Sequence, residues 1–159
     1  MLFRSNGSGF DLAVIRYRSI LHGIAAPEFY RTDGDWKWNN YQGRYHDLHV
    51  DLMDLLSGYG ASHRVGLGTL AELVGLPGKS FLEGEVWEHI LRGEERLVEE
   101  YCKLAVLLTL LLFLSWTVHR GDLAREKLGE YVATIREALL VEPFAPWREI
   151  VEELEGWPR

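Results

Sequence analysis

The residues with the clearest chemical potential stand near the start of the chain, in Asn6-Gly7-Ser8-Gly9-Phe10-Asp11. An aspartate after a Gly-rich turn can offer a hard oxygen ligand to a divalent ion. It can equally sit at the start of a helix, where the dipole favours negative charge, with Asn6 and Gly7 making the turn. One carboxylate alone does not satisfy a hard divalent ion, which wants several oxygen ligands, so the metal reading of Asp11 needs partners. A second cluster is His46, Asp47, His49 and Asp51. A His-x-x-His pair beside acids suggests a metal, but on a strand positions 46 and 49 point to opposite faces. These histidines are therefore expected to be structural or solvent-facing. A third group is the loop holding Trp36, Lys37, Trp38, Tyr41, Arg44 and Tyr45, with Arg31 before it. Such rings and cations can stack bases and touch phosphates. The competing expectation, which we favour, is that the rings pack against the body of the protein.

These residues need elements to position them. Residues 2–5 read as a short strand, and Asn6 to Gly9 as a turn. Apolar positions from Phe10 to Ile24 suit a helix that stops at Gly23. Pro27 opens a loop running to about Arg44. Leu48, Val50 and Leu52 alternate with His49 and Asp51, which predicts a strand bending into a helical turn near Leu55. The second half reads as helices: Thr69–Val74 before Gly75 and Pro77, Glu85–Leu91 before Gly93, Glu94 to about Val118, Leu123–Leu140, and Pro146–Leu154. That makes at most two or three strands against five or six helices.

The chain has 159 residues, 47% hydrophobic and 26% charged, which is the balance of a single globular domain with a real core. Its net charge of -7 disfavours a protein that grips phosphate backbones by bulk charge. A metal nuclease remains open, because metal-holding carboxylates are acidic before the ions arrive. The lone Cys102 allows no internal disulfide, so a reducing, cytoplasmic compartment is expected. The apolar run Leu104–Trp116 is shorter than the ~20 residues of a bilayer span. It is expected to be a buried helix, with no membrane partner.

The segment Asn6 to Ile24, with Asn6-Gly7, Phe10-Asp11 and Leu12-Ala13-Val14-Ile15, resembles the second exonuclease motif of DEDD-type 3'-5' exonucleases. In particular it resembles the predicted exonucleases related to the proofreading domain of family-B DNA polymerases. Ala13 stands where that family has proline. Segments Asp33–Tyr59 and 67–79, and the helices from Val86 to Leu114, continue the resemblance over about residues 5–157. It implies a ribonuclease-H-like α/β fold, here truncated and helix-dominated with two to three strands remaining. It also implies phosphodiester hydrolysis from a 3' end by two metal ions, Mg²⁺ or Mn²⁺, held by four carboxylates.

Three of the four carboxylates implied by the resemblance are absent. No Asp-x-Glu strand precedes Asn6. Asp11 is present. The late motif reads Tyr101-Cys-Lys-Leu-Ala105, with Ala105 in place of the metal-binding Asp. Helix neighbours on the face of Ala105 are Tyr101, Cys102, Leu108 and Thr109, none of them a carboxylate. Tyr101 is read either as a vestigial water-positioning group or as a core tyrosine. Asp11 is a vestigial metal ligand, and no cofactor is firmly expected beyond Mg²⁺ or Mn²⁺ for any surviving activity. Asn6, Gly7, Phe10, Trp36, Lys37, Trp38 and Arg44 are the nucleic-acid-binding candidates. Three functions follow: an inactive domain that binds nucleic acid or a protein, a working exonuclease completed by another chain, and an interaction module with no nucleic-acid role. Missing sheet strands leave open edges and uncovered apolar surface, so a homo-oligomer or a strand-supplying partner is expected.

Overall fold

A computed structural model describes residues 2–43, 45–77, 85–141 and 146–158. Arg44, and Gly78 and Lys79 at the end of one resemblance segment, lie outside the described residues. The chain divides into two compact units, Met1–Val65 and Gly66–Arg159.

In the first unit, β1 (Leu2–Arg4) leads into a helical turn at Gly7–Asp11 and then α1 (Leu12–Leu21). Helix α1 ends where expected. Gly23 takes a positive φ of 63°, its N–H reaches the Ile20 carbonyl, and the Ile24 N–H reaches Ser19. That bond pair is a Schellman stop, which needs a left-handed residue just past the helix. Single-turn helices at Pro27–Tyr30 and Gly34–Trp36 interrupt the long loop. The chain then enters β2 (His49–Asp51) and α2 (Leu52–Leu56). Strands β1 and β2 pair in parallel, with Leu2 opposite His49, Phe3 opposite Val50 and Arg4 opposite Asp51. A parallel pair requires a crossover, and α1 with its loop supplies it.

The second unit is helical. It contains α3 (Leu67–Leu73), α4 (Val86–Leu91), α5 (Glu95–His119), α6 (Arg125–Val141) and α7 (Pro146–Glu153). On α5, Leu107, Leu108, Leu111 and Leu112 form a buried stripe, and the helix packs on α3, α4 and α6. Leu128 and Val132 of α6 join this core, as do Trp147, Ile150, Val151 and Leu154 of α7. After α7, the Trp157 indole N–H donates to the Val74 carbonyl at 3.1 Å, tying the tail to the end of α3.

Two expectations change. The run Leu104–Trp116 is shorter than a bilayer span, but the 25-residue helix containing it is long and apolar enough, by length and composition, to cross a membrane. Only 28% of its most apolar stretch is buried, so the expected buried helix is realised only along the stripe Leu107, Leu108, Leu111 and Leu112. Secondly, α1 buries none of its residues, so its apolar positions do not face a core. The fold class stands as read: an α/β chain of the ribonuclease-H-like kind, dominated by helix, with one small parallel sheet among the described residues.

Candidate functional site

The Asn6–Asp11 segment is built around a carboxylate that the motif does not contain. Asn6 adopts a left-handed backbone, φ 64°, which Asn tolerates better than most residues and which turns the chain out of β1. The Asp51 side chain, 6% exposed, then accepts from the Asn6 N–H at 2.9 Å and the Ser8 N–H at 2.7 Å. It also accepts from the Met53 N–H at 3.0 Å, as the N-cap of α2. One carboxylate therefore starts two helical segments. Free N–H groups at a helix start are where an outside anion binds; here Asp51 occupies two of them.

Gly7 is buried against this arrangement. A Cβ on it would lie 2.4 Å from His49 Nε2 and 2.8 Å from Arg4 Cβ, so no side chain fits without movement. Glycine is required by the close approach rather than by the motif's chemistry. Asp11 is half-buried at the junction of the turn and α1, and it makes no capping hydrogen bond to its own helix. Its backbone is already right-handed helical, φ -59° and ψ -50°, rather than the extended conformation of a capping residue.

The two histidines do not lie on opposite faces of a strand. Strand β2 begins at His49, so strand alternation does not govern His46. The two rings stack with centroids 6.4 Å apart and planes 26° from parallel. Both His46 Nδ1 and His49 Nε2 are buried and find no hydrogen-bond partner among the described residues. Burial holds both imidazoles below their ordinary value. At His49 the carboxylates of Asp51, Asp11 and Asp54 pull the other way without cancelling it. The long-range role of Asp51 and the buried pair at His46 and His49 were not legible as site features. The only sequence signal was that two acids and two histidines share six positions.

The aromatic loop separates into two sets. Phe29 stacks on Tyr41 at 5.2 Å, Trp36 lies 6.5 Å from Tyr41, and Tyr41 meets the edge of His46. The buried Asn40 ties the loop together by donating to the Trp36 carbonyl and accepting from Gln42 and Gly43. These rings pack on each other. Trp38 instead projects, 85% exposed, with the Lys37 ammonium 5.1 Å from its ring. Phe10 is exposed as well, and Tyr45 rests edge-on against Tyr59 while remaining exposed.

In the second unit, Tyr101 and Ala105 are half-buried on α5, one turn apart. The Ala105 carbonyl accepts the Thr109 hydroxyl at 2.7 Å, so that hydroxyl serves the helix. Nearby carboxylates are committed elsewhere: Glu99 pairs with Lys103 at 2.7 Å and Glu100 with Arg96 at 3.2 Å. Leu108, in the next turn, is fully buried. Among the described residues, no three His, Cys, Asp or Glu side chains gather as a cage for a metal ion. The donor set present does not fit a pair of divalent ions.

The sequence model of a family described as "predicted 3'-5' exonuclease related to the exonuclease domain of PolB" matches residues 2–153. The chain belongs to this family. No curated protein and no solved structure matches it. The match runs through both units, from β1 to the end of α7, so α5 with its Ala105 is part of the family framework and not an appended segment. The ancestry read from Asn6–Asp11 is thus supported over nearly the whole chain.

Proposed function

We propose that this exonuclease-family domain does not hydrolyse phosphodiester bonds and acts by binding. The observation that carries the reading is Ala105. It stands where the resemblance requires a metal carboxylate, on a helix face whose neighbouring acids are held in ion pairs with Lys103 and Arg96. Asp11 is then a relic at a helix junction. The test is a 3'-labelled oligonucleotide incubated with the chain and Mn²⁺ or Mg²⁺. The expected result is no shortening above the level of an Asp11→Ala variant. Metal-dependent shortening that this variant abolishes would overturn the reading.

The exposed Trp38 ring with Lys37 beside it supports single-stranded nucleic acid as a ligand, because any base has a face on which an indole can stack. Trp38→Ala is expected to weaken binding of a single-stranded oligonucleotide about tenfold, at a stacking contribution of ~1–3 kcal/mol. Fluorescence anisotropy measures it, and equal affinity for both proteins removes this ligand.

A further inference from the structure

The rings of His46 and His49 join three parts of the first unit. His49 stands on β2, 4% exposed, where β1, the Asn6–Asp11 turn and α2 all pack. Its Nε2 lies against Gly7, so closely that a Cβ there would sit 2.4 Å away. His46 stacks on His49 and meets Tyr41 edge-on, with centroids 5.2 Å apart. Tyr41 in turn stacks on Phe29. The strand pair, the turn and the aromatic loop thus meet at two imidazoles. Each of these buries a nitrogen that has no hydrogen-bond partner among the described residues.

We propose that this stack is an acid-sensitive latch: protonation of the two rings releases β1, the Asn6–Asp11 turn and the aromatic loop from β2, while the second unit stays folded. An imidazolium donates from both nitrogens, so each added proton puts a charged donor where no acceptor stands. The acids nearby are committed to other partners. Asp51, on the same strand, already accepts from the N–H groups of Asn6, Ser8 and Met53, and turning to His49 would strip them. Asp54, from α2, is paired with Arg64, and Asp47 is hydrogen-bonded to Asn39. Asp11 faces His49 from the turn, and among the described residues it forms no ion pair with it. Arg4 on β1 and the second ring of the stack oppose a positive charge on either histidine. Burial keeps both rings neutral below their ordinary value of 6.5, whereas the released rings take up protons there. The closure is therefore at full strength above 6.5 and weakens as the pH falls through that value. Every charged group that faces the pair belongs to residues 1–65, so the opening is local to the first unit. This device goes beyond the binding reading and does not rest on it.

The test is hydrogen exchange of the full chain between pH 8 and pH 5, read by mass spectrometry and corrected for the intrinsic pH dependence of exchange. The expected result is that residues 2–11 and 49–53 lose protection as the pH falls, while residues 107–112 keep theirs. His46→Phe keeps a ring against Tyr41 without a site for the proton. It is expected to hold its protection at a pH where the wild type has lost it. A second measurement needs no variant: the imidazole signals of His46 and His49 in proton NMR are expected to titrate with the midpoint of the amide opening. Protection of residues 2–11 that stays constant over the range overturns the inference. So does parallel loss of protection in residues 107–112, a His46→Phe protein that opens at the same pH as wild type, or imidazole midpoints apart from that of the opening.

Discussion

Asp51 carries more of the first unit than any residue of the exonuclease motif. Its carboxylate serves the N–H groups of Asn6, Ser8 and Met53, and its removal leaves three donors at a part-buried position. Asp51→Ala is expected to cost about 3 kcal/mol or more in urea unfolding, at about 1 kcal/mol, the low end of the range for a buried donor without an acceptor, for each of these three part-buried donors. Asp11→Ala, which breaks no capping bond, is expected to stay within about 0.5 kcal/mol of wild type. The contrast separates the residue that names the family from the residue that holds the turn. The buried histidines add a pH dependence. Both titrate below the ordinary value of 6.5 when folded, so the unfolded chain binds more protons in the acid range. Stability from these groups is complete above 6.5. It falls as pH drops through that value, and levels off below the folded-state values. Thermal melts between pH 8 and pH 5 are expected to show this fall, and His49→Gln to flatten part of it. A melt profile identical in wild type and variant would remove His49 from the account.

Helices announced themselves in the sequence more clearly than their surroundings did. Gly23, Gly75 and Gly93 each follow a helix and each has a positive φ; glycine has low cost there, so the stops could be read in advance. On α5 the sequence marked the whole run Leu104–Trp116 for burial, and of it the structure buries Leu107, Leu108, Leu111 and Leu112. Leu108→Ala, at a fully buried position, is expected to cost about 2–5 kcal/mol. Val106→Ala, two residues earlier and 61% exposed, is expected to stay near neutral in the same denaturation series. What period alone did not reveal was direction. The apolar positions of α1 have helical spacing whether they face a core or solvent, and only the structure shows that they point outward. His46 was misplaced by the same kind of limit. Alternation was applied one turn before the strand began, and the stacked rings at His46 and His49 follow from the bend that precedes β2.

Charge is distributed unevenly over the whole chain. Residues 1–65 hold seven Lys and Arg against seven Asp and Glu, so the whole net charge of -7 lies in residues 66–159, with ten against seventeen. The composition gave the total but not this partition, which needed the division into units. Any nucleic acid that contacts the first unit gains no help from the long-range field of the second. Binding through the loop cations Lys37 and Arg44 is therefore expected to be shallow in its salt response. The slope of log affinity against log salt is expected near -1.4, from about -0.7 for each phosphate neutralised on a single strand. A titration at several salt concentrations checks it; a slope steeper than about -3 would call for a basic surface beyond these two residues.

The bond between the Asn6 N–H and Asp51 joins residues 45 apart in sequence, and that separation sets an order of events. The strand pairing of Leu2–Arg4 is with His49–Asp51, and two N–H groups of the turn donate to the same distant aspartate. During synthesis Leu2–Arg4 therefore lack their strand partner until the segment ending at Asp51 has left the ribosome. Only then can one closure event settle the strand pair, the turn and the start of α2 together. The cost of that closure grows slowly with loop length, as the logarithm of the residues enclosed. Lengthening the aromatic loop would thus delay assembly of the N-terminal end more than it would weaken the finished structure.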